Sequence, residues 1–329
     1  MLRSFQYTES SYLEQSMFGN IYRDKEVSIA RRFVKEHHIA DNMDKECPIC
    51  GNKKTQYFYT KWKVDYLRCS QCRSIIAVCE ENTVRQYHSN SDLVSLRLSD
   101  SYQNQAFENR KQVWEEFIEW LEVRTFRFLH RNKGLSIVDV GNRFREYSKL
   151  IRSSSFCGEY NLRRSALGKD EDTILTGRAD LVLYLDQLQK ETDPHGSILE
   201  LSGYLKEDGI LVLSTRAGSG FDIITLKENN DKIYPYEHIL LPSVKGIIAL
   251  LEQSGLEVLE ITTPGVMDVK YVMDSLDKLD ESEEFVHYLL EESGQGVLQE
   301  FQRFLQKSCL SSFVCVIARR SSRKGKKDV

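Results

Sequence analysis

An α/β fold built on a mostly parallel sheet, with helices on both faces, is predicted by three observations. Apolar runs of strand length, "GLSIVDVG", "ADLVLYL" and "ILVLST", recur between stretches with helical periodicity. The chain has 329 residues, 41% of them hydrophobic, enough for one sizeable α/β core and a smaller module. Four of the eight cysteines fall in two close pairs near the amino end, which marks that module.

Residues 1–45 are polar and mixed in charge and are expected to form an arm, with a helix around "RDKEVSIARRFVKEHHI". Residues 46–80 are the cysteine module. Its pairs, Cys47/Cys50 and Cys69/Cys72, are 18 residues apart. Two residues between cysteines let both thiolates turn onto one cation, and two such pairs complete a closed tetrahedral site, so the spacing predicts structural zinc. The stretch between them, "TQYFYTKWKVDYLRC", alternates as a hairpin does. A ribbon this small has little core, so the metal is expected to supply its folding energy. Cys79, Cys157, Cys309 and Cys315 sit in apolar contexts that predict packing.

Residues 81–133 form a connector, polar at first and then helical, with Trp114, Phe117, Ile118 and Leu121 making one apolar stripe. "GLSIVDVG" opens the core as a buried strand, "SFCGEYN" follows as a second and "ADLVLYL" as a later one. "PHGSILELSGYLKEDG" predicts a helix that faces inward through Ile198, Leu201 and Leu205 and ends in a left-handed cap at Gly209. "ILVLST" is the next strand. "SVKGIIALLEQSG" is a helix capped by Ser243 and stopped by Gly255, before the strand "LEVLEITTPG". Residues 273–320 carry a long helical segment and a last strand, "SSFVCVIARR". The basic end, residues 321–329, reads as a solvated tail.

The net charge of −4 argues against wholesale nucleic-acid binding, where a basic face is the usual footprint. No run approaches the roughly 18 apolar residues of a spanning helix. The first residues lack the apolar stretch and cleavage site of a secretion signal, so the expectation is a cytoplasmic protein with no membrane partner.

Two segments carry candidate chemistry. "VDVGNRFREYSKLI" runs from strand to helix through Asp139 and Gly141, where backbone N–H groups can meet a ligand; a plain α/β turn explains it equally well. "GSGFDIITLKENNDKIYPYEHILLPS" follows a core strand, where open α/β sheets bind ligands, and holds Tyr234, Tyr236, Glu237 and His238. A histidine beside a carboxylate suits general-base work, and an incidental histidine in a surface loop is the competing account.

Together these features resemble class I S-adenosylmethionine (SAM)-dependent methyltransferases that carry an N-terminal zinc ribbon, among them C-methyltransferases of nucleotide-linked sugars. The resemblance spans roughly residues 47–320. It rests on the four cysteines, on "ADLVLYLDQLQKETDPHGSILELSGYLKEDGILVLST", and most specifically on "SGFDIITL … IYPYEH … LPSVKGIIALLEQSGLEVLEITTPG". It implies a Rossmann-like methyltransferase core over residues 134–272 and SAM as cofactor beside structural Zn2+. It also implies a small, sugar-nucleotide-like acceptor. Asp139, Gly141, Arg143, Glu159 and Leu185 would then fall around the cofactor, and His238, Glu237 and Tyr236 around the proton-abstraction site. The family's loop, D-x-G-x-G-x-G, has two further glycines where this chain has Arg143 and Arg145, in the run Asn142-Arg143-Phe144-Arg145. It also has an acidic residue and a histidine where this chain has Gln189 and Lys190, in the stretch Asp186-Gln187-Leu188-Gln189-Lys190. Two accounts follow. In one the loop is rebuilt, with Arg143 or Arg145 pairing the methionine carboxylate. In the other the chain is a catalytically inactive relative serving as a binding or scaffold subunit.

Overall fold

The computed structural model describes residues 20–37, 45–163 and 176–321. The basic tail beyond residue 321, the first nineteen residues and most of the stretch joining the second and later core strands lie outside the described residues.

The arm forms helix α1 (Asn20–Glu36), which buries Glu26, Ala30, Phe33 and Val34. The cysteine module is a hairpin, β1 (Thr55–Lys61) and β2 (Val64–Cys69), followed by β3 (Ile75–Ala77). Its turn places Trp62 and Lys63 at φ 48° and 71°, the paired left-handed geometry that matches the twist of a two-residue hairpin. The polar connector is helical from its start: α2 (Glu81–His88), α3 (Ser91–Leu98) and the 30-residue α4 (Asp100–Leu129). Caps explain this, since Asn90 accepts from the Asp92 and Leu93 amides and Ser99 accepts from that of Tyr102.

The core sheet holds β4 (Leu135–Val140), β5 (Cys157–Arg163), β6 (Ala179–Leu185), β7 (Leu205–Arg216), β9 (Leu256–Thr262) and β10 (Phe313–Arg320). Their order is β5-β4-β6-β7-β10-β9. All run parallel except β10, which inserts antiparallel between β7 and β9. Helices α5 (Arg145–Ser153), α6 (Pro194–Tyr204), α7 (Phe221–Leu226), α8 (Val244–Gln253), α9 (Asp268–Met273), α10 (Glu284–Glu292) and α11 (Gln295–Lys307) complete the chain, with a two-residue strand β8 (Leu240–Leu241).

Strand alternation sends side chains to two cores. Ile137, Leu181, Leu183, Ile210 and Val212 pack with Trp114, Phe117 and Ile151 of α4 and α5. Val138, Val182, Leu211 and Leu213 pack with Ile198, Leu201, Ile247 and Leu251 of α6 and α8 on the other face. That second core runs without a break into the cysteine module through Ile49, Val64, Tyr66 and Ile75. The module therefore leans on the main core as well as on any metal. The expected cap at Gly209 is not formed. α6 ends at Tyr204, and Gly209 lies inside β7, where a side chain would meet the Ala179 carbonyl at 2.7 Å. Its need for glycine is close approach between strands.

Candidate active site and metal centre

The four cysteine sulfurs converge within 4.8 Å of one another. Cys47 and Cys72, and likewise Cys50 and Cys69, stand 3.6 Å apart sulfur to sulfur. A disulfide needs about 2.05 Å, whereas tetrahedral bonds of about 2.3 Å to one zinc ion put sulfurs roughly 3.8 Å apart. The donor set and its spacing fit a closed four-thiolate metal site.

This centre is fastened to the segment that carries Glu237 and His238. β3 pairs with β8, extending the ribbon sheet to the order β1-β2-β3-β8. The Ser243 hydroxyl donates to the Cys72 carbonyl, and the Ser243 amide donates to Ser74 Oγ across 3.1 Å. Tyr66 donates to the His238 carbonyl, and the Ala77 amide to that of Ile239.

A cavity of about 190 Å³ opens at the carboxyl ends of β4, β6 and β7, beneath α4. Such sites usually begin near 300 Å³, so a ligand of cofactor size has to displace side chains. Of the residues marked by the sequence, Arg143, Leu185, Tyr234, Glu237 and His238 line this cavity.

Asp139 and Gly141 lie just behind it. Gly141 has φ 81°, and a Cβ there would fall 2.5 Å from Gln187 Cγ, so the bare face of the turn is covered by the Gln187 side chain. Asn142 Nδ2 and the Tyr160 hydroxyl both donate to Asp139 Oδ2, at 3.0 and 2.6 Å. The other carboxylate oxygen, Oδ1, is buried with no hydrogen-bond partner among the described residues. Burial raises the Asp139 carboxyl to about 6, against the opposing pull of Tyr160 and Asn142. An acceptor of this kind is satisfied by an N–H or O–H donor.

Three placements correct the sequence reading. Glu159 pairs with Ser136 near the amino end of β4, is exposed, and stays out of the cavity; the carboxyl end of β5 is Arg163, whose carbonyl accepts from the Gly141 amide. Tyr236 has φ 65° and turns its ring away from the cavity onto Phe33 and Tyr87. Arg145 pairs with exposed Asp100, so it does not face the cavity.

Glu237 is enclosed by cations: Arg97 at 2.8 Å, Lys190 at 3.2 Å and Arg143 at 3.7 Å. Burial alone would raise its carboxyl, but Arg97, Lys190 and Arg143 hold it well below the usual range. Glu26 shares Arg97 at 2.7 Å, tying α1 into the cluster. Glu237 is thus an anchor for cations rather than the partner that orients His238. His238 is buried, with Nδ1 3.3 Å from both the amide and the carbonyl of Tyr234, and burial depresses its imidazole to about 3. It is neutral near pH 7.

Arg97, Gln187, Lys190, Arg216 and Lys232 complete the surroundings and were not marked by the sequence. Gln187 and Lys190 stand in the "DQLQK" stretch where the resembled family has other residues, which was the available signal. Arg97 carries no local mark, because only the fold of α3 brings it to Glu237.

No protein-family model matches the chain, and no curated protein matches it in sequence. Solved structures do. Geranyl diphosphate C-methyltransferase from Streptomyces coelicolor A3(2), in complex with S-adenosyl-L-homocysteine, is 15% identical with a TM-score of 0.37; the match covers 68% of this chain and 82% of that one. Phosphoethanolamine N-methyltransferase 2 from Haemonchus contortus, also with S-adenosylhomocysteine, is 13% identical with a TM-score of 0.36, covering 61% and 52%. The cyclase SpnF is 14% identical with a TM-score of 0.36, covering 64% and 82%. The fold is α/β and Rossmann-like. Among the described residues no helix is long and apolar enough to cross a membrane.

Proposed function

We propose that the chain is a SAM-dependent methyltransferase acting on a small, sugar-nucleotide-like acceptor. The observation that carries this reading is the orphaned Oδ1 of buried Asp139, set behind the Gly141 turn at the mouth of the core sheet. SAM, when bound, would supply an electrophilic methyl group. Asp139 would accept from its amino group, Leu185 would border it, and the Gly141 backbone would line its path once Gln187 swings aside. Arg143, anchored between Glu26 and Glu237, would have to exchange one of these carboxylates for that of the ligand. His238 is the group available to take a proton from the acceptor. Its imidazole is neutral, as a base requires, and a bound anion nearby would raise its pKa toward the working range. Tyr234 would contact the acceptor. The ribbon would hold zinc and fix the segment bearing these groups.

A second reading is favoured by one observation, the Gln187 side chain packed over Gly141. In that reading the cofactor path stays shut, and the chain is an inactive relative that binds a ligand or partner. Calorimetric titration with SAM and S-adenosylhomocysteine separates the two. Binding that weakens on Asp139→Asn supports the first; no heat at millimolar ligand rejects it in favour of the second.

A further inference from the structure

The turn that joins β1 to β2 is closed by the Lys61–Val64 pair and built from Trp62 and Lys63. Both stand in the left-handed region, at φ 48° and 71°. That geometry favours Asn-Gly, because a Cβ crowds the backbone there and a bulky residue is an outlier. Local preference therefore does not account for a tryptophan at this place. A side chain kept on an unfavourable backbone points to a use away from the turn.

The Trp62 ring is half-buried and touches two distant parts of the chain. The Arg31 guanidinium of α1 lies 4.8 Å from its centre. The Tyr234 ring stacks on it at 6.2 Å, inclined by 27°. Tyr234 in turn meets the His238 imidazole edge-on at 5.1 Å. Beside Trp62, buried Lys61 donates from Nζ to the Asn230 carbonyl, at the head of the segment that carries both residues. Tyr234 and His238 line the cavity, whereas Trp62 stands behind them, outside its lining.

We infer that Trp62 is a positioning residue, whose indole fixes the Tyr234 ring and, through it, the His238 imidazole. Stacked rings resist tilting and sliding, and the guanidinium steadies the indole in turn. This role rests on and deepens the proposed reading, in which Tyr234 contacts the acceptor and His238 takes its proton. It is separate from holding a metal, since the turn lies at the tip of the hairpin and the cysteines at its base.

The test is hydrogen exchange and NMR on the full chain, with no ligand added. In Trp62→Asn/Lys63→Gly the turn gains the residues it favours and loses the indole. The amides of β1 and β2 should then exchange as slowly as in the parent, or more slowly. The His238 and Ile239 amides, which donate to the Tyr234 and Gln189 carbonyls, should exchange about ten-fold faster or more. The His238 ring resonances, assigned by their loss in His238→Gln, should shift. Trp62→Phe keeps a ring on the same unfavourable backbone and should hold exchange at both amides within about two-fold of the parent. Lys63→Gly eases the turn alone and should leave the site as it is. Unchanged exchange at His238 and Ile239 in the double variant overturns the role, and so does faster exchange there in Lys63→Gly. If hairpin and site loosen together in the double variant, Trp62→Phe decides: parent-like exchange at His238 supports the role, and fast exchange overturns it. Failure to bind SAM would count against the methyltransferase reading, while these ligand-free readouts still judge Trp62.

Discussion

The Tyr66 hydroxyl, on the strand between the two cysteine pairs, donates to the His238 carbonyl across 3.0 Å inside the protein. Ribbon and candidate site are joined at that point by a buried bond, and Ser243 and Ala77 add others on either side of it. Loss of the metal should therefore be felt at the site. We expect one zinc per chain by atomic absorption. Chelation, or Cys72→Ser, should lower the thermal midpoint and speed amide exchange over residues 234–243. Unchanged exchange there would show the ribbon to be an independent appendage. Tyr66→Phe should cost about 1 kcal/mol, as befits one buried hydrogen bond.

The Gly141 turn is left-handed and roofed by Gln187. Gly141→Ala should lose about 2 kcal/mol in urea unfolding, from the φ penalty and the displaced glutamine together. Adding Gln187→Ala should recover the steric share and leave the backbone share. Alone, Gln187→Ala should tighten S-adenosylhomocysteine binding if the roof is what shuts the path; weaker binding would make the glutamine a ligand contact instead.

Protonation of His238 should oppose folding. Its imidazole titrates near 3 when folded and near 6.5 when unfolded. Between those values the unfolded chain binds more protons, so this contribution is complete above pH 6.5 and is lost as pH falls toward 3. One proton gives a slope of about 1.4 kcal/mol per pH unit. Subtracting the pH profile of His238→Gln from that of the parent should expose this slope, and parallel profiles would mean that the imidazole is accessible to water.

Glu237→Gln strips the shared carboxylate from Arg97, Lys190 and Arg143. Buried cations left with their own repulsion should cost about 3–5 kcal/mol, read from denaturant midpoints. A loss under about 1 kcal/mol would mean that the cluster is hydrated in solution.

Much of this was legible in the residue order. Strand periodicity marked β4, β6 and β7, and apolar stripes with a serine cap marked α8, because burial on one face leaves a local imprint. The paired cysteines foretold their convergence for the same reason: two ligands of each pair are neighbours in the chain. The candidate site was legible only in part. Asp139, Gly141 and His238 were marked as candidates by their place after strands, and Arg143 and Leu185 by the family resemblance. The position of Glu159 was misjudged because the register between β4 and β5, set by pairing across the sheet, decides which end of the strand it occupies.

The sequence alone determined the alternating α/β plan, the Ser243 cap of α8 and the four-sulfur cluster, since each is carried largely by contacts between near neighbours. Only the tertiary structure decided that Gln187 covers Gly141, that Glu237 serves three cations, and that Arg23, Arg216 and Lys232 meet in one cavity. Those residues are far apart along the chain or act through directions their side chains take after packing. Coulomb forces and excluded volume depend on that final distance, which residue order does not encode locally.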